Sequence, residues 1–221
     1  MNLFDILGPV MVGPSSSHTA GAVRIGYIAR KLLQETPVKV EILLHGSFAT
    51  TGVGHGTDRA LIAGLLGMKP DDIRIPHSFE LAKESGLAFS FGTVNLRDAH
   101  PNTAVLKLVG ESGKEMEVQG VSIGGGRVLI QKLNGMEVNF SGERNTLVIQ
   151  NLDTPGSVAK VTSILFWKSV NIATMQLCRD KRGGYAMMVL ETDEEIWESS
   201  VRELQNLDGV LQVIYLGIEK E

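Results

Sequence analysis

The C-terminal third of the chain begins with TLVIQNLDTPG at residues 146–156, an apolar run that ends in a polar turn. The β-branched and aliphatic residues predict a strand over 146–150. The turn is rich in residues that start helices, and Pro155 suits a first helical turn. Apolar residues at helical spacing then predict a helix over 157–168, so a strand is expected to lead directly into a helix.

The residues that follow continue this alternation of elements. The predicted elements are a strand over 170–178, a hairpin turn at 182–184, a strand over 185–191, a helix whose apolar side carries Trp197, Val201 and Leu204, and a strand over 210–216. Asp193 is expected to cap that helix. The order β-α-β-β-α-β predicts a ferredoxin-like arrangement.

The first two-thirds of the chain predict a mixed α/β or α+β domain. Its predicted elements are helices over 19–33 and 56–66 and strands over 38–44, 105–109, 117–121 and 127–130. The boundary is expected in the polar run at 141–145, which gives domains of 1–145 and 146–221. The fold class predicted for the whole chain is α+β.

The amino-acid composition is typical of a globular protein and argues against several other classes. The chain has 221 residues, 43% of them apolar, and a formal net charge of −4, as in a globular protein with an ordinary core. Scattered Lys and Arg residues argue against nucleic-acid or membrane-surface binding. With no long apolar run and no basic N-terminal flank, neither a membrane span nor a signal peptide is expected, which predicts a cytoplasmic protein.

Cys178 is the only cysteine of the chain. An internal disulfide is therefore excluded, as is a thiolate metal site built from this chain alone, and no metal ligands are assigned. Cys178 falls in a predicted strand, where a small, inert, partly apolar residue is the simplest interpretation.

The segment GPSSSHT at residues 13–19 concentrates hydroxyl groups around one histidine. A plain helix cap would use only one of these hydroxyls, so capping leaves most of them unexplained. Hydroxyls and backbone N–H groups at a helix start suit an anionic group, and His18 can move a proton near neutral pH. The segment therefore predicts a carboxylate-binding or catalytic loop.

Three further segments combine small and polar residues next to predicted strands: HGSFATTGVGHGTD at 45–58, HPNT at 100–103 and SIGGG at 122–126. Loops at strand ends are where α/β folds place ligands. Each segment also has a purely structural interpretation: Thr57 or Asp58 could cap a helix, HPNT could be a simple turn, and SIGGG could be a bulge or hairpin turn.

These four segments together resemble the beta chain of bacterial iron–sulfur L-serine dehydratase, and the C-terminal third resembles an ACT domain, the ferredoxin-like amino-acid sensor. The resemblance covers essentially the whole chain. It implies deamination of L-serine to pyruvate and ammonia with a four-iron, four-sulfur cluster. It also implies that the N-terminal domain is of the allosteric-substrate-binding type, which occurs in some 3-phosphoglycerate dehydrogenases.

The same resemblance implies a cofactor and partners. Because one cysteine cannot hold a cubane cluster, a 4Fe-4S cluster would be ligated by cysteines of an alpha subunit. The ACT domain implies self-association and a small amino acid as effector.

The resemblance also implies roles for individual residues. His18 would be the base or a direct substrate contact. Substrate binding would involve Ser15, Ser16, Ser17, Thr19, His55, Asn102 and Thr103. The effector would meet Asn151, Asp153 and Asn171, although ACT sensors often carry an amide where this chain has Asp153.

Two other interpretations compete with a catalytic role. The chain could be a non-catalytic, amino-acid-binding regulatory subunit whose partner carries all the chemistry. It could also be a free-standing metabolite sensor, which would leave the serine cluster and the histidine-bearing loops unexplained. The catalytic need for His18 separates the first of these from a catalytic subunit.

Overall fold

The structure is a computed structural model that describes residues 10–218. The chain consists of two compact units, and the first ends at Asn134. This division precedes the polar run at 141–145, and the predicted domain boundary between residues 145 and 146 stays a prediction. No helix within residues 10–218 is long and apolar enough to cross a membrane.

The first unit contains both helices and strands. Its helices are α1 (Gly21–Leu33), α2 (Ser47–Thr51), α3 (Thr57–Leu65) and α4 (Ser78–Glu84), with a π-helical turn at Ser16–Ala20 and a 3-10 turn at Ile75–His77. Its strands are β1 (Pro37–His45), β2 (Ala88–Thr93), β3 (Thr103–Gly110), β4 (Glu115–Gly124) and β5 (Arg127–Leu133).

The strands of the first unit lie in the order β2-β1-β3-β4-β5. β1 is parallel to β2 and antiparallel to β3, so the sheet is mixed. Alternate side chains such as Val40, Ile42 and Leu106 are fully or almost fully buried, as expected where one sheet face carries helices. α1 packs on β3, β4 and β5 and also contacts α3.

Strand register brings three of the four polar segments to one edge of this sheet. His45, at the end of β1, pairs with Thr103 at the start of β3. Thr103 in turn pairs with Val121, close to the end of β4. The loops that follow β1, precede β3 and follow β4 therefore share an edge, because antiparallel neighbours place opposite ends together.

The second unit has the predicted β-α-β-β-α-β order. After a short strand β6 (Met136–Phe140) come β7 (Asn145–Leu152), α5 (Ser157–Trp167), β8 (Ile172–Arg179), β9 (Tyr185–Thr192), α6 (Glu198–Gln205) and β10 (Val210–Leu216). The sheet order is β10-β7-β9-β8. Its core includes Leu147, Ile149, Val161, Leu165, Met188 and Leu204. The ferredoxin-like arrangement and the α+β class are confirmed.

Several local predictions need correction. α6 begins at Glu198 rather than beside Asp193, because Trp197 is extended and stands at its N-cap position. The carboxylate of Asp193 instead accepts a hydrogen bond from Asn171 Nδ2 at 2.7 Å. Pro155 precedes the helix, since Gly156 takes the left-handed conformation before α5 starts at Ser157.

Candidate functional site

The serine cluster forms a π-helical turn that leads into α1. Ser15 stands at the N-cap, where its Oγ accepts the backbone N–H of His18 at 3.1 Å. The side chains of Ser16 and Ser17 are half-buried and make no hydrogen bond within residues 10–218. One serine therefore caps, as expected, and the hydroxyls of the next two remain available to a ligand.

Gly13 sets how this turn begins. Its φ of +136° is unfavourable for other residues, and a Cβ there would lie 2.5 Å from Thr19 Cγ2. Thr19 is buried, and its Oγ1 donates to the carbonyl of His55 at 3.1 Å. Thr19, predicted to bind substrate, is thus engaged in holding the turn against the segment that carries His55.

His18 points at two hydroxyl groups of α2. Its Nε2 lies 3.1 Å from Ser47 Oγ and 3.2 Å from Thr51 Oγ1. Its ring packs edge-on against Phe48, with centroids 5.3 Å apart, and lies 4.9 Å from the His55 ring. The two histidines, 37 residues apart in sequence, are therefore neighbours in the fold.

The surroundings of His18 favour its neutral form. Burial lowers the pKa of the imidazole below its ordinary value of 6.5, and the nearby His55 ring lowers it further. The Ser47 backbone acts in the opposite direction and raises the pKa. At neutral pH His18 thus carries a free lone pair, which a general base needs.

His55 has a defined proton position. Its Nδ1 lies 3.0 Å from the carbonyl of Thr51. Because a carbonyl oxygen only accepts, Nδ1 must carry the proton, which leaves Nε2 as the basic nitrogen of the neutral ring.

The loop before β3 is fixed mainly by its own backbone. Thr103 is fully buried, and its Oγ1 donates to the carbonyl of His100 at 2.6 Å. Asn102 is half-buried and donates from Nδ2 to the Ser122 carbonyl at 3.4 Å. Of these two predicted substrate contacts, Asn102 has a side-chain oxygen with no hydrogen bond within residues 10–218, whereas the Thr103 hydroxyl holds the loop.

Ser47, Thr51 and Ser122 lie in the candidate segments of the sequence, but none of them was predicted to have a role of its own. Ser47 and Thr51 are four residues apart and therefore share one face of α2, a spacing that could have been recognised. Ser122 is fully buried, and its Oγ has no hydrogen-bond partner within the described part of the chain. It lies beneath Gly21, where a Cβ would approach that Oγ to 2.1 Å. The SIGGG segment is thus packed against the start of α1.

The second unit has its own cavity of about 490 Å³, at the junction of β7 and α5. Asn151 and Asp153 line it, and the buried Asn151 Oδ1 has no hydrogen-bond partner among the described residues. Asp153 accepts hydrogen bonds from Gly183 N–H at 2.9 Å and from Arg179 at 3.1 Å. The Gly183 bond is the main cause of a lowered pKa for that carboxyl.

The third predicted effector residue lies elsewhere. Asn171 precedes β8, whose first residue pairs with Thr192, whereas Asn151 pairs with Ala186 at the other end of β9. Six residues of strand separate these positions, which corresponds to about 20 Å. Within one chain the structure therefore brings together Asn151 and Asp153 but not Asn171.

Across residues 10–218, no group of three or more His, Cys, Asp or Glu side chains is placed to hold a metal ion. Cys178, the one cysteine, is partly buried in β8. A cubane cluster needs several thiolates, so the residues of this chain do not fit such a group.

The sequence of the chain is similar to those of known proteins. A family model described as "Serine dehydratase beta chain" matches residues 2–86. The chain is 41% identical to a probable L-serine dehydratase beta chain of Bacillus subtilis, over 96% of each chain. It belongs to the L-serine dehydratase beta-chain family. An L-serine dehydratase beta chain of Peptoniphilus asaccharolyticus is 43% identical to this beta chain, over 89% of each.

A further match covers only part of a longer enzyme. The beta chain is 28% identical to D-3-phosphoglycerate dehydrogenase of Bacillus subtilis, over 87% of this chain and 36% of that protein. The family and the role of a beta chain in L-serine dehydratase, predicted from the four polar segments, are confirmed.

Proposed function

We propose that the chain is the beta subunit of a two-chain iron–sulfur L-serine dehydratase and that it supplies residues of the substrate site. The observation that carries this proposal is the turn at Ser16–Ala20, where His18 Nε2 lies 3.1 Å from Ser47 Oγ and where the side chains of Ser16 and Ser17 make no hydrogen bond within residues 10–218. With one cysteine in the chain, the cluster would be held by cysteines of an alpha subunit. The cytoplasm, where free serine is available, is the compartment we propose.

The proposed reaction removes the α-proton and the β-hydroxyl of serine as water. The aminoacrylate that remains tautomerises to an imine, and water hydrolyses the imine to pyruvate and ammonia. Ser16 and Ser17 would donate hydrogen bonds to the substrate carboxylate. His18 would accept the α-proton, with His55 beside it and Asn102 at the same sheet edge.

The isolated chain is expected to bind no stoichiometric cluster and to form no pyruvate, because one thiolate cannot hold a cubane. The measurement is iron and sulfide content after anaerobic reconstitution, with a pyruvate assay on the chain alone and with a cysteine-rich alpha subunit added. Activity should arise only in the mixture. Cluster and turnover from this chain alone would disprove the two-chain proposal.

We further propose that the cavity of the second unit binds a small amino acid. The ammonium group of such a ligand would donate to the buried, unpartnered Asn151 Oδ1, and Asp153 would add a negative charge at the same cavity. Asn171 could contribute only from a second copy of the chain, which agrees with an effector held across a homodimer.

Calorimetry of the full chain with L-serine is expected to show saturable binding that Asn151→Ala weakens about tenfold or more. The reason is the loss of a buried hydrogen bond to a charged group, worth roughly 1.5–3 kcal/mol. Asn206→Ala, an exposed amide beyond α6, is the matched control and should bind normally. Equal affinity of both variants would remove Asn151 from the effector site.

A further inference from the structure

Two hydroxyl groups converge on one nitrogen of His18. Ser47 Oγ and Thr51 Oγ1 lie 3.1 Å and 3.2 Å from His18 Nε2, and 3.2 Å from each other. Gly46, with a φ of +58°, turns the chain from β1 into α2. Ser47 and Thr51 are four residues apart in this helix, so their side chains project from the same face. Three polar atoms thus form a closed triangle.

The protons available to this triangle can be counted. Thr51 Oγ1 donates to the backbone carbonyl of Ser47 at 2.9 Å, and a hydroxyl has only one proton. Thr51 Oγ1 can therefore only accept from Ser47 and His18. All three contacts are hydrogen bonds in one arrangement. In it, the Ser47 hydroxyl donates to Thr51 Oγ1, and His18 Nε2–H is shared between the two hydroxyl oxygens.

The opposite tautomer does not satisfy the triangle. If Nε2 were unprotonated, the Ser47 hydroxyl would have to donate its single proton to Nε2. The contacts of Thr51 Oγ1 with Nε2 and with Ser47 Oγ would then set lone pairs against each other at 3.2 Å. Such contacts are electrostatically repulsive. Thr51 is exposed, so solvent reduces this cost, but only the Nε2–H tautomer places a proton in every contact of the triangle.

We propose that Ser47 and Thr51 are positioning residues that hold neutral His18 in the Nε2–H tautomer. The proposal rests on the proposed function, in which His18 takes the α-proton of serine. Nδ1 then carries the lone pair, and no described residue bonds to Nδ1. Nδ1 is therefore the atom that receives the proton, while Nε2–H keeps its hydrogen bonds and stabilises the imidazolium that forms.

The tautomer can be measured without enzyme activity. In the full chain labelled with 15N-histidine, long-range proton–nitrogen correlation spectra distinguish the two tautomers, and His18→Gln assigns the signal. We expect the Nε2–H form in the wild type and in Thr51→Ser, which keeps the hydroxyl. In Thr51→Val, Ser47 becomes free to donate to Nε2, and the Nδ1–H form should gain population.

Kinetics of the reconstituted two-chain enzyme provide the second readout. Thr51→Val should lower kcat by about tenfold to a hundredfold with KM little changed, and Thr51→Ser should restore most of kcat. Thr50→Val is the matched control, because the Thr50 hydroxyl donates to the carbonyl of Gly46 at the N-cap of α2 and is not among the described hydrogen-bond partners of the His18 ring. Ser47→Ala supplies an independent test if Thr51→Val folds poorly.

Two results would overturn the proposal: an Nδ1–H tautomer in the wild type, or Thr51→Val with unchanged tautomer and kcat. An inactive wild-type mixture would instead refute the proposed function and leave the tautomer result standing. The two failures are therefore distinguishable.

Discussion

Replacement of His18 by alanine is expected to lower turnover of the reconstituted two-chain enzyme by about a hundredfold or more, the usual scale for loss of a positioned acid–base group. The ring lies beside Ser47, Thr51 and His55, and burial lowers its pKa, which favours the neutral form. The measurement is the steady-state rate of pyruvate formation with L-serine.

Controls separate chemistry from assembly. Cluster content and co-purification of the alpha subunit should be unchanged in His18→Ala, because the ring is only partly buried in a polar turn. Ser16→Ala should act mainly on apparent serine affinity if its hydroxyl only holds the carboxylate. His77→Ala, at an exposed position outside the site, should behave as wild type.

A fully active His18→Ala enzyme would contradict the catalytic role. The regulatory interpretation would then be favoured, since a subunit that only senses amino acids tolerates loss of this imidazole. The cavity beside Asn151 and Asp153 would in that case be the functional centre of the chain.

The second unit was the easier part to predict from the sequence. Its strands are marked by β-branched runs, and the Gly183-Gly184 turn separates two of them, so local patterns suffice. The helix expected at Asp193 was placed too early because Asp193 pairs with Asn171, a contact that only the folded sheet creates. Local capping preference was overridden by tertiary structure.

In the first unit, the elements that sequence reasoning missed are short or lie at an edge. β2, with the sequence AFSFGT, pairs only with β1 and contains a glycine, which weakens its strand pattern. α2 has five residues, fewer than two helical turns, so no periodicity can develop. These omissions had a consequence for the site, since α2 carries Ser47 and Thr51.

The sequence identified which residues have suitable chemistry for the candidate site, but not which of them contact each other. The sequence marks His18 and His55 as chemically capable, yet their 4.9 Å ring separation depends on how α1 and α3 pack. The roles of Thr19 and Thr103 also required the structure, because both hydroxyls prove to donate to backbone carbonyls.

The contact between α1 and α3 leads to the largest stability effect that we expect. A Cβ at Gly64 would lie 2.0 Å from the Val23 carbonyl oxygen, and one at Gly26 would lie 2.2 Å from the Leu61 carbonyl oxygen. Backbone atoms cannot move aside as a flexible side chain can. The two helices must therefore separate to accept even one methyl group.

Gly64→Ala is expected to destabilise the first unit by about 3 kcal/mol, near the upper end of the range for overpacking. This cost exceeds the gain of about 1 kcal/mol that alanine brings to a helix interior. Chemical denaturation followed by circular dichroism measures the change. Gly86→Ala is the control: its φ of +79° costs about 1 kcal/mol, but a Cβ there meets no atom within 4 Å.

The same substitution tests how the fold supports the site. α1 follows the turn that carries His18, and α3 follows the segment that carries His55, so separation of the helices should pull the two rings apart. A folded fraction of Gly64→Ala should therefore show weakened dehydratase activity beyond its loss of stability. Wild-type stability in Gly64→Ala would mean that α1 and α3 do not meet backbone to backbone, and the placement of His18 beside His55 would lose its structural basis.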